Sequence, residues 1–329
     1  MNINKDSRIV EVFSADVLNQ KTDKNELKDA NIYIQELAAH ASPENRYEIA
    51  QIMSFIIEDA ITERLNYIDT IADVKNTGLD ERAQFKIEID GLKAMFQAKS
   101  ATTVRSKVSN KFVTLDTEEV SIRPTVDFLE LETGKVDLTR LSKQAASKME
   151  IAIMRRVQDS IYEAFKAMGN GVNYNTGSGI TKQAFDPILA AMRRAGGNAT
   201  ILGDFEALAG FTELTGFNSQ VPDDYAIQHN ENGLIGKYNG SSLLQIDNPF
   251  QPQSLTNTEL RKDLIYVVPS ADKELRPVKV QFAGGTMSLD APVNIDSKQV
   301  EFRFDKHVGV GVVGARKLLG VYEDSSLSE

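Results

Sequence analysis

The chain has 329 residues, enough for about two domains of roughly 100 to 200 residues each, and a hydrophobic content of 41% that can build a core. Its 47 acidic against 37 basic residues leave a net charge of −10, so there is no general basic footprint for nucleic acid, and any DNA near this protein is enclosed rather than gripped. Cysteine is absent, which excludes disulfides, thiolate metal sites and a cysteine nucleophile; the start MNINKDSRIVEVFSAD lacks a signal-type apolar core, and no run approaches the roughly 18 apolar residues of a membrane span, so a soluble chain made in the cytoplasm is expected.

Residues 1 to about 75 are charged and read as helical in two pieces. The first, NELKDANIYIQELAAHA, ends near Ser42-Pro43, and the second runs from Pro43 with Ser42 as its N-cap and proline at the first helical position. Ile49, Ile52, Met53, Ile56, Ile57, Ala60, Ile61, Leu65 and Ile68 recur at three and four in that second piece. This stripe needs a partner surface, either the chain's own body or a neighbouring subunit.

From about Asp80 to Asp116 the pattern changes to FKIEIDGLKAMFQA and TTVRSKVSNKFVTL, which fit two arms of an extended hairpin. A two-stranded ribbon is marginal alone in water, so it must lie on something, its own chain or another copy. Arg82, Lys86, Lys93, Lys99, Arg105, Lys107 and Lys111 stand out in an acidic protein and suggest an acidic resting place, with Phe85, Met95 and Phe96 as apolar contacts; a solvated loop with ordinary lysines is the competing reading.

The segment VSIRPTVDFLELETGKVD then supplies a strand pair, and Asp137 caps a helix whose apolar spacing holds from Leu138 to Met168, about 45 Å at 1.5 Å per residue. Gly169 to Gly179, GNGVNYNTGSG, reads as a flexible break and a domain boundary. Compact α/β follows: a helix starting at Asp186-Pro187 and stopping at Gly196-Gly197, the strand NATILG, the helix DFEALAGFTELTGF, a polar loop holding Asp223, Asp224 and His229, and the strands SSLLQID and DLIYVVPS. After Ala271, PVKVQFAG, GTMSLDA and KQVEFRFDKHVGVGVV are three further strands. These need the strands before the long helix to complete one sheet, so the α/β piece looks inserted between them.

Chemistry finds little support. Gly309, Gly311 and Gly314 fall in the spacing G-x-G-x-x-G of a dinucleotide enzyme, yet only 15 residues follow Gly314, too few for the helix, second strand and acidic residue the fingerprint requires. The alternation of Val300, Phe302, Phe304, Val308, Val310 and Val312 makes this one long half-buried strand. Asp223, Asp224 and His229 lack regular ligand spacing and read as a solvated loop; no P-loop or G-x-S-x-G occurs. Neither a cofactor, nor a metal, nor a catalytic residue is expected.

The order of a polar arm, an extended loop, a long helix, an α/β insert and a returning ribbon ending in VEFRFDKHVGVGVVGARKLL resembles the major capsid proteins of tailed bacteriophages, the Hong Kong 97 fold, over nearly the whole chain. The resemblance implies an α+β fold with residues 1–79 as N-terminal arm, 80–118 as the extended E-loop, 119–179 and 271–329 as the two parts of a peripheral P-domain with its spine helix, and 180–270 as the inserted axial A-domain. It further implies a structural role: pentamers and hexamers closing into an icosahedral shell around double-stranded DNA held without sequence-specific contacts. Scaffold, portal and decoration proteins are further partners that it admits, the location is the virion, and an encapsulin-type protein compartment is the alternative. Candidate contacts between subunits are Ile56 and Leu65 of the arm, Phe85, Met95, Phe96, Arg105 and Lys107 of the loop, and Asp223 and Asp224 of the insert. Lysines 93, 99 and 107 and Asn294 carry no motif that singles them out, so the covalent cross-link of the family's type member is not expected, nor is a cleaved scaffold within the first 75 residues.

Overall fold

The computed structural model describes residues 7–18, 20–40, 42–64, 68–89, 109–135, 137–169, 171–214, 236–270, 272–290, 299–314 and 318–328. Four helices open the chain: α1 (Arg8–Val17), α2 (Lys24–Ala39), α3 (Pro43–Arg64) and the single turn α4 (Ile68–Ile71). The expected two helical pieces are therefore α2 and α3, and α1 is an addition. Ser42 caps α3 as the sequence suggests, its Oγ accepting from Asn45 N at 3.2 Å. Ile49, Ile52, Met53, Ile56, Ile57 and Ile61 are all at 1% exposure or less, because α3 lies among α1, α2, the long helix and a sheet. The stripe's partner is this chain's own body.

The first sheet has the order β1-β11-β12-β4, built from β1 (Ala72–Thr77), β4 (Glu118–Ile122), β11 (Val278–Asp290) and β12 (Gln299–Val312), with β5 (Thr125–Asp127) also pairing β12. The strands before the long helix thus do share a sheet with those near the C-terminus. PVKVQFAG and GTMSLDA are one strand rather than two. Its register with β12 shifts between Ala283 and Met287, where Gly284 takes φ +70°, so a bulge stands where a turn was expected.

After β5 come a short helix, α5 (Phe128–Glu132), and α6 (Leu138–Met168). Asp137 caps α6, accepting from Thr139 N at 2.9 Å, and Gly169 ends it at φ +70°. Helix α6 packs on β4, β12, α1 and α3. Met149, Ile153, Val157, Ile161 and Phe165 sit on its buried side at 1% exposure or less.

A second sheet runs β6-β13-β10-β7-β9-β8 through β6 (Tyr174–Gly177), β7 (Ala199–Gly203), β8 (Lys237–Tyr238), β9 (Ser241–Gln245), β10 (Leu264–Pro269) and β13 (Gly320–Asp324). Strand β10 is buried along its whole length. Leu264, Tyr266 and Val268 join the core that contains α6, while Ile265 and Val267 join a smaller core under α7 (Lys182–Gly196) and α8 (Phe205–Ala209). Three expectations change here. The glycine-rich stretch 169–179 is no simple break, since β6 pairs in parallel with β13. Helix α7 begins at Lys182, not at Pro187, because Thr181 Oγ1 caps Ala184 N at 3.3 Å and the buried spacing starts at Phe185. The C-terminal strand β13 enters this second sheet rather than the first. Among the described residues no helix is long and apolar enough to cross a membrane.

Candidate assembly surface

Strands β2 (Gln84–Ile89) and β3 (Ser109–Thr114) pair antiparallel, from Gln84 opposite Thr114 to Ile89 opposite Ser109, and form the base of the expected hairpin. The two-residue alternation of strands puts Phe85, Ile87 and Val113 on one face and Lys86 and Phe112 on the other. Phe85 is fully buried against the body: the Nζ atoms of Lys75 and Lys279 lie 5.1 and 5.8 Å from its ring centroid, and Lys75 also donates to Gln84 O at 2.8 Å. Phe112 on the outer face is 59% exposed. Arg82 and Asp116, flanking the two strands, are 3.6 Å apart and largely exposed, so their attraction is worth ~0.2 to 1 kcal/mol.

The first sheet fixes this base through buried charge on both faces. On the ribbon side Lys279 meets Asp73 at 3.0 Å and Glu274 O at 2.7 Å, and Gln281 Nε2 donates to Thr77 Oγ1 at 2.9 Å and Glu81 O at 2.8 Å. Burial pulls the Lys279 ammonium below its ordinary pKa against the pull of Asp73 in the other direction. On the opposite face Lys306 lies 2.6 Å from Glu58 of α3 and 5.3 Å from the Phe282 ring centroid, and Thr286 in the β11 bulge donates its N–H to Glu58 at 2.9 Å and its hydroxyl to the same oxygen. Burial acts to raise Glu58, but Lys306 and Thr286 together hold it below its ordinary value. Glu58, Lys306 and Phe282, with Asp69, Lys273 and Gly284, line a cavity of about 270 Å³ between α3 and the bulge.

The glycines of the apparent nucleotide fingerprint have a packing task. Gly309 and Gly311 lie inside β12, opposite Gln281 and Lys279, and not in a strand-to-helix turn. A Cβ on Gly309 would come 3.0 Å from Asp116 O, and one on Gly311 would come 2.6 Å from Leu115 Cδ2. The strand is bare there so that the chain returning from β3 can cross the sheet. That overturns the dinucleotide reading.

Of the residues singled out in the sequence, Ile56 and Phe85 are fully covered by this chain itself, at 0% exposure, so neither side chain offers surface to a neighbour. Both belong to internal packing, the first in α3 and the second at the ribbon's root. Leu65, Met95, Phe96, Arg105, Lys107, Asp223 and Asp224 lie outside the described residues. Sequence reasoning missed the exposed Phe112 and both buried ion pairs. The only hint of the latter was a lysine placed between valines in PVKVQF and another after FRFD.

The fold is similar to that of several solved structures. Against the mature capsid of bacteriophage PhiM1 the TM-score is 0.52 at 10% identity, over 77% of this chain and 85% of that one. For Mycobacterium phage Adephagia it is 0.51 at 14%, over 78% and 88%, and for the capsid of an empty GTA particle it is 0.50 at 15%, over 78% and 88%. No curated protein matches the chain. Residues 1–323 match the family described as "SPbeta prophage-derived putative capsid protein YonB"; the chain belongs to that family and is a structural major capsid protein.

Proposed function

We propose that copies of this chain assemble through pentamers and hexamers into a closed icosahedral shell around double-stranded DNA, and that the subunit catalyses no reaction. In this reading residues 1–79 are the arm, 80–118 the extended loop, 119–179 and 271–329 the peripheral domain, and 180–270 the axial domain, with strand β13 reaching back into the axial sheet. The carrying observation is the ribbon. Its root is anchored by Phe85, whereas Phe112 on the outer face is 59% exposed, and a two-stranded ribbon does not sustain itself without a surface to lie on. A neighbouring copy supplies that surface. Arg105 and Lys107 would meet a neighbour's carboxylates there, which a chain of net charge −10 offers in plenty.

Subunits made in the host cytoplasm would become the wall of the virion, with scaffold, portal and decoration proteins acting on the same shell and the DNA enclosed without sequence-specific contacts. Negative-stain microscopy of the chain expressed alone is the test, and closed particles are expected. Nuclease-protected double-stranded DNA in particles from infected or induced cells distinguishes a genome shell from a compartment filled with protein. A monodisperse monomer at every concentration and salt would refute the assembly.

A further inference from the structure

Two surface segments differ from the rest of the chain in charge. Asn248–Thr258 and Gly169–Thr181 contain no Asp, Glu, Lys or Arg, in a protein of which 26% of residues are charged. The first joins β9 to β10 and is internally bonded: Gln251 N donates to Asn257 O at 2.9 Å, Asn257 N to Ser254 Oγ at 2.9 Å, and Glu259 N to Pro249 O at 2.9 Å. Its root is fastened to α6, where Glu259 accepts from Lys148 at 2.5 Å and from Arg155 at 3.0 Å. On this frame Leu255 is 87% exposed and Phe250 53%. The second segment contains β6 and presents Val172, just ahead of that strand, at 72% exposure. Gly171 and Tyr174 hold it through a β-bridge, and Asn173 Nδ2 donates to Leu319 O at 2.8 Å.

These apolar side chains stand on ordered backbone, so a partner need immobilise little more of the chain on binding. They also occupy different places. Strand β6 forms one edge of the six-stranded sheet, while β9 lies next to the other edge, and Arg155 is about 20 Å along α6 from Gly169.

We propose that the two segments are the halves of a head-to-tail contact, in which Leu255 and Phe250 of one copy pack on the Val172 segment of the next. Copies of a chain with net charge −10 repel one another, and uncharged surface is where they approach with least opposition. Basic surface for nucleic acid is missing from both segments, which points to a second copy as the occupant. Because the two halves are different surfaces, the contact does not end at a dimer; it repeats from copy to copy and closes a ring when the rotation permits. The inference rests on the assembly reading above.

The absence of cysteine makes the test clean. Particles of the double variant Leu255→Cys, Val172→Cys, treated with a short bis-maleimide, should run as a ladder of linked copies on denaturing gels, and each single variant should run as monomer. Leu255→Glu should raise the concentration at which particles appear by about tenfold or more, leaving the unfolding midpoint of the free subunit unchanged. Dimers from Leu255→Cys alone would overturn the head-to-tail arrangement. No ladder, together with a wild-type threshold for Leu255→Glu, would overturn the contact while leaving shell assembly standing. Failure of the unaltered chain to form particles would remove the assembly reading and this contact with it.

Discussion

Asp73 and Lys279 face each other across the parallel pair β1 and β11, 3.0 Å apart, with side chains only 4% and 3% exposed. Removing one partner leaves the other charge buried alone, so Asp73→Ala should lower stability by ~3 to 5 kcal/mol. The double change Asp73→Leu, Lys279→Met, which removes both charges, should recover most of it, to near wild type or above. Urea unfolding of the three proteins decides this, and a double variant no more stable than Asp73→Ala would show that the pair does not act as a pair. The folded pKa of Lys279 lies below its ordinary 10.5, so between the two values the unfolded chain binds more protons and this group adds stability as pH rises.

Glu58 behaves differently with acid. Its folded pKa is held below the ordinary 4.5, so its contribution is present above about that pH and is lost as pH falls through the lowered folded value. Glu58→Gln should flatten that part of the stability profile, which unfolding midpoints at a series of pH values below 5 would reveal. An unchanged slope would mean that the Lys306 and Thr286 contacts do not favour the charged form.

Gly309→Ala and Gly311→Ala should differ. The added methyl at position 309 meets backbone at Asp116 O, 3.0 Å away, whereas that at 311 meets the tip of the flexible Leu115 side chain. A loss of ~1 to 3 kcal/mol is expected for the first and less for the second. Calorimetry with NAD or ATP should be flat for wild type and for both variants. Binding that Gly311→Ala abolishes would reinstate a nucleotide site.

Charge in the ribbon can be separated from folding. Arg105→Glu with Lys107→Glu should impair assembly and leave the thermal unfolding of the free subunit nearly unchanged, and high salt should weaken wild-type assembly in the same direction. Each such contact would exceed the ~0.2 to 1 kcal/mol of an exposed pair only modestly, but repetition around a closed shell would multiply it. Val157→Asp is the control: Val157 is 1% exposed, so the change should lower the stability of the subunit itself. If the glutamate pair assembles normally at low and high salt, apolar contacts hold the ribbon and the electrostatic account is wrong. Sedimentation of a variant lacking residues 90–108, with a short Gly/Ser bridge that keeps Phe85 seated, should show folded subunits and no particles.

What the sequence disclosed followed from how local each signal is. Helix α6 was readable at both ends because a capping aspartate, a long apolar spacing and a terminal glycine all lie within the helix or beside it. The pairing of β2 with β3 and the kinship of β4 and β5 with β12 followed from alternation and from the need to close a sheet. Helix α1 escaped notice because RIVEVFSADV is short, and its Val10, Phe13 and Val17 gain their burial from packing on α2, α3 and α6. Strand β6 was hidden in a segment rich in glycine and asparagine; what holds it is remote, Tyr174 donating to Glu323 at 2.6 Å. The assembly surface was only partly legible. Phe85 and Ile56 looked like contacts for a neighbour because a pattern shows that a side chain needs cover, not which chain supplies it.

The position of β13 bears on when a subunit becomes usable. Val321 pairs with Tyr174 on one side and Tyr266 on the other, so a strand near the C-terminus sits inside the six-stranded sheet between β6 and β10. During synthesis β10 has one edge open until Gly320–Asp324 has left the ribosome, and β6 waits for the same residues through a span of well over a hundred positions. A chain interrupted before that point has an unfinished six-stranded sheet, with the bed for Tyr322 and Gly320 under α7 unfilled. In the assembly proposed above, a subunit lacking Gly320–Asp324 would bring an incomplete six-stranded sheet to the wall and would be a poor building block.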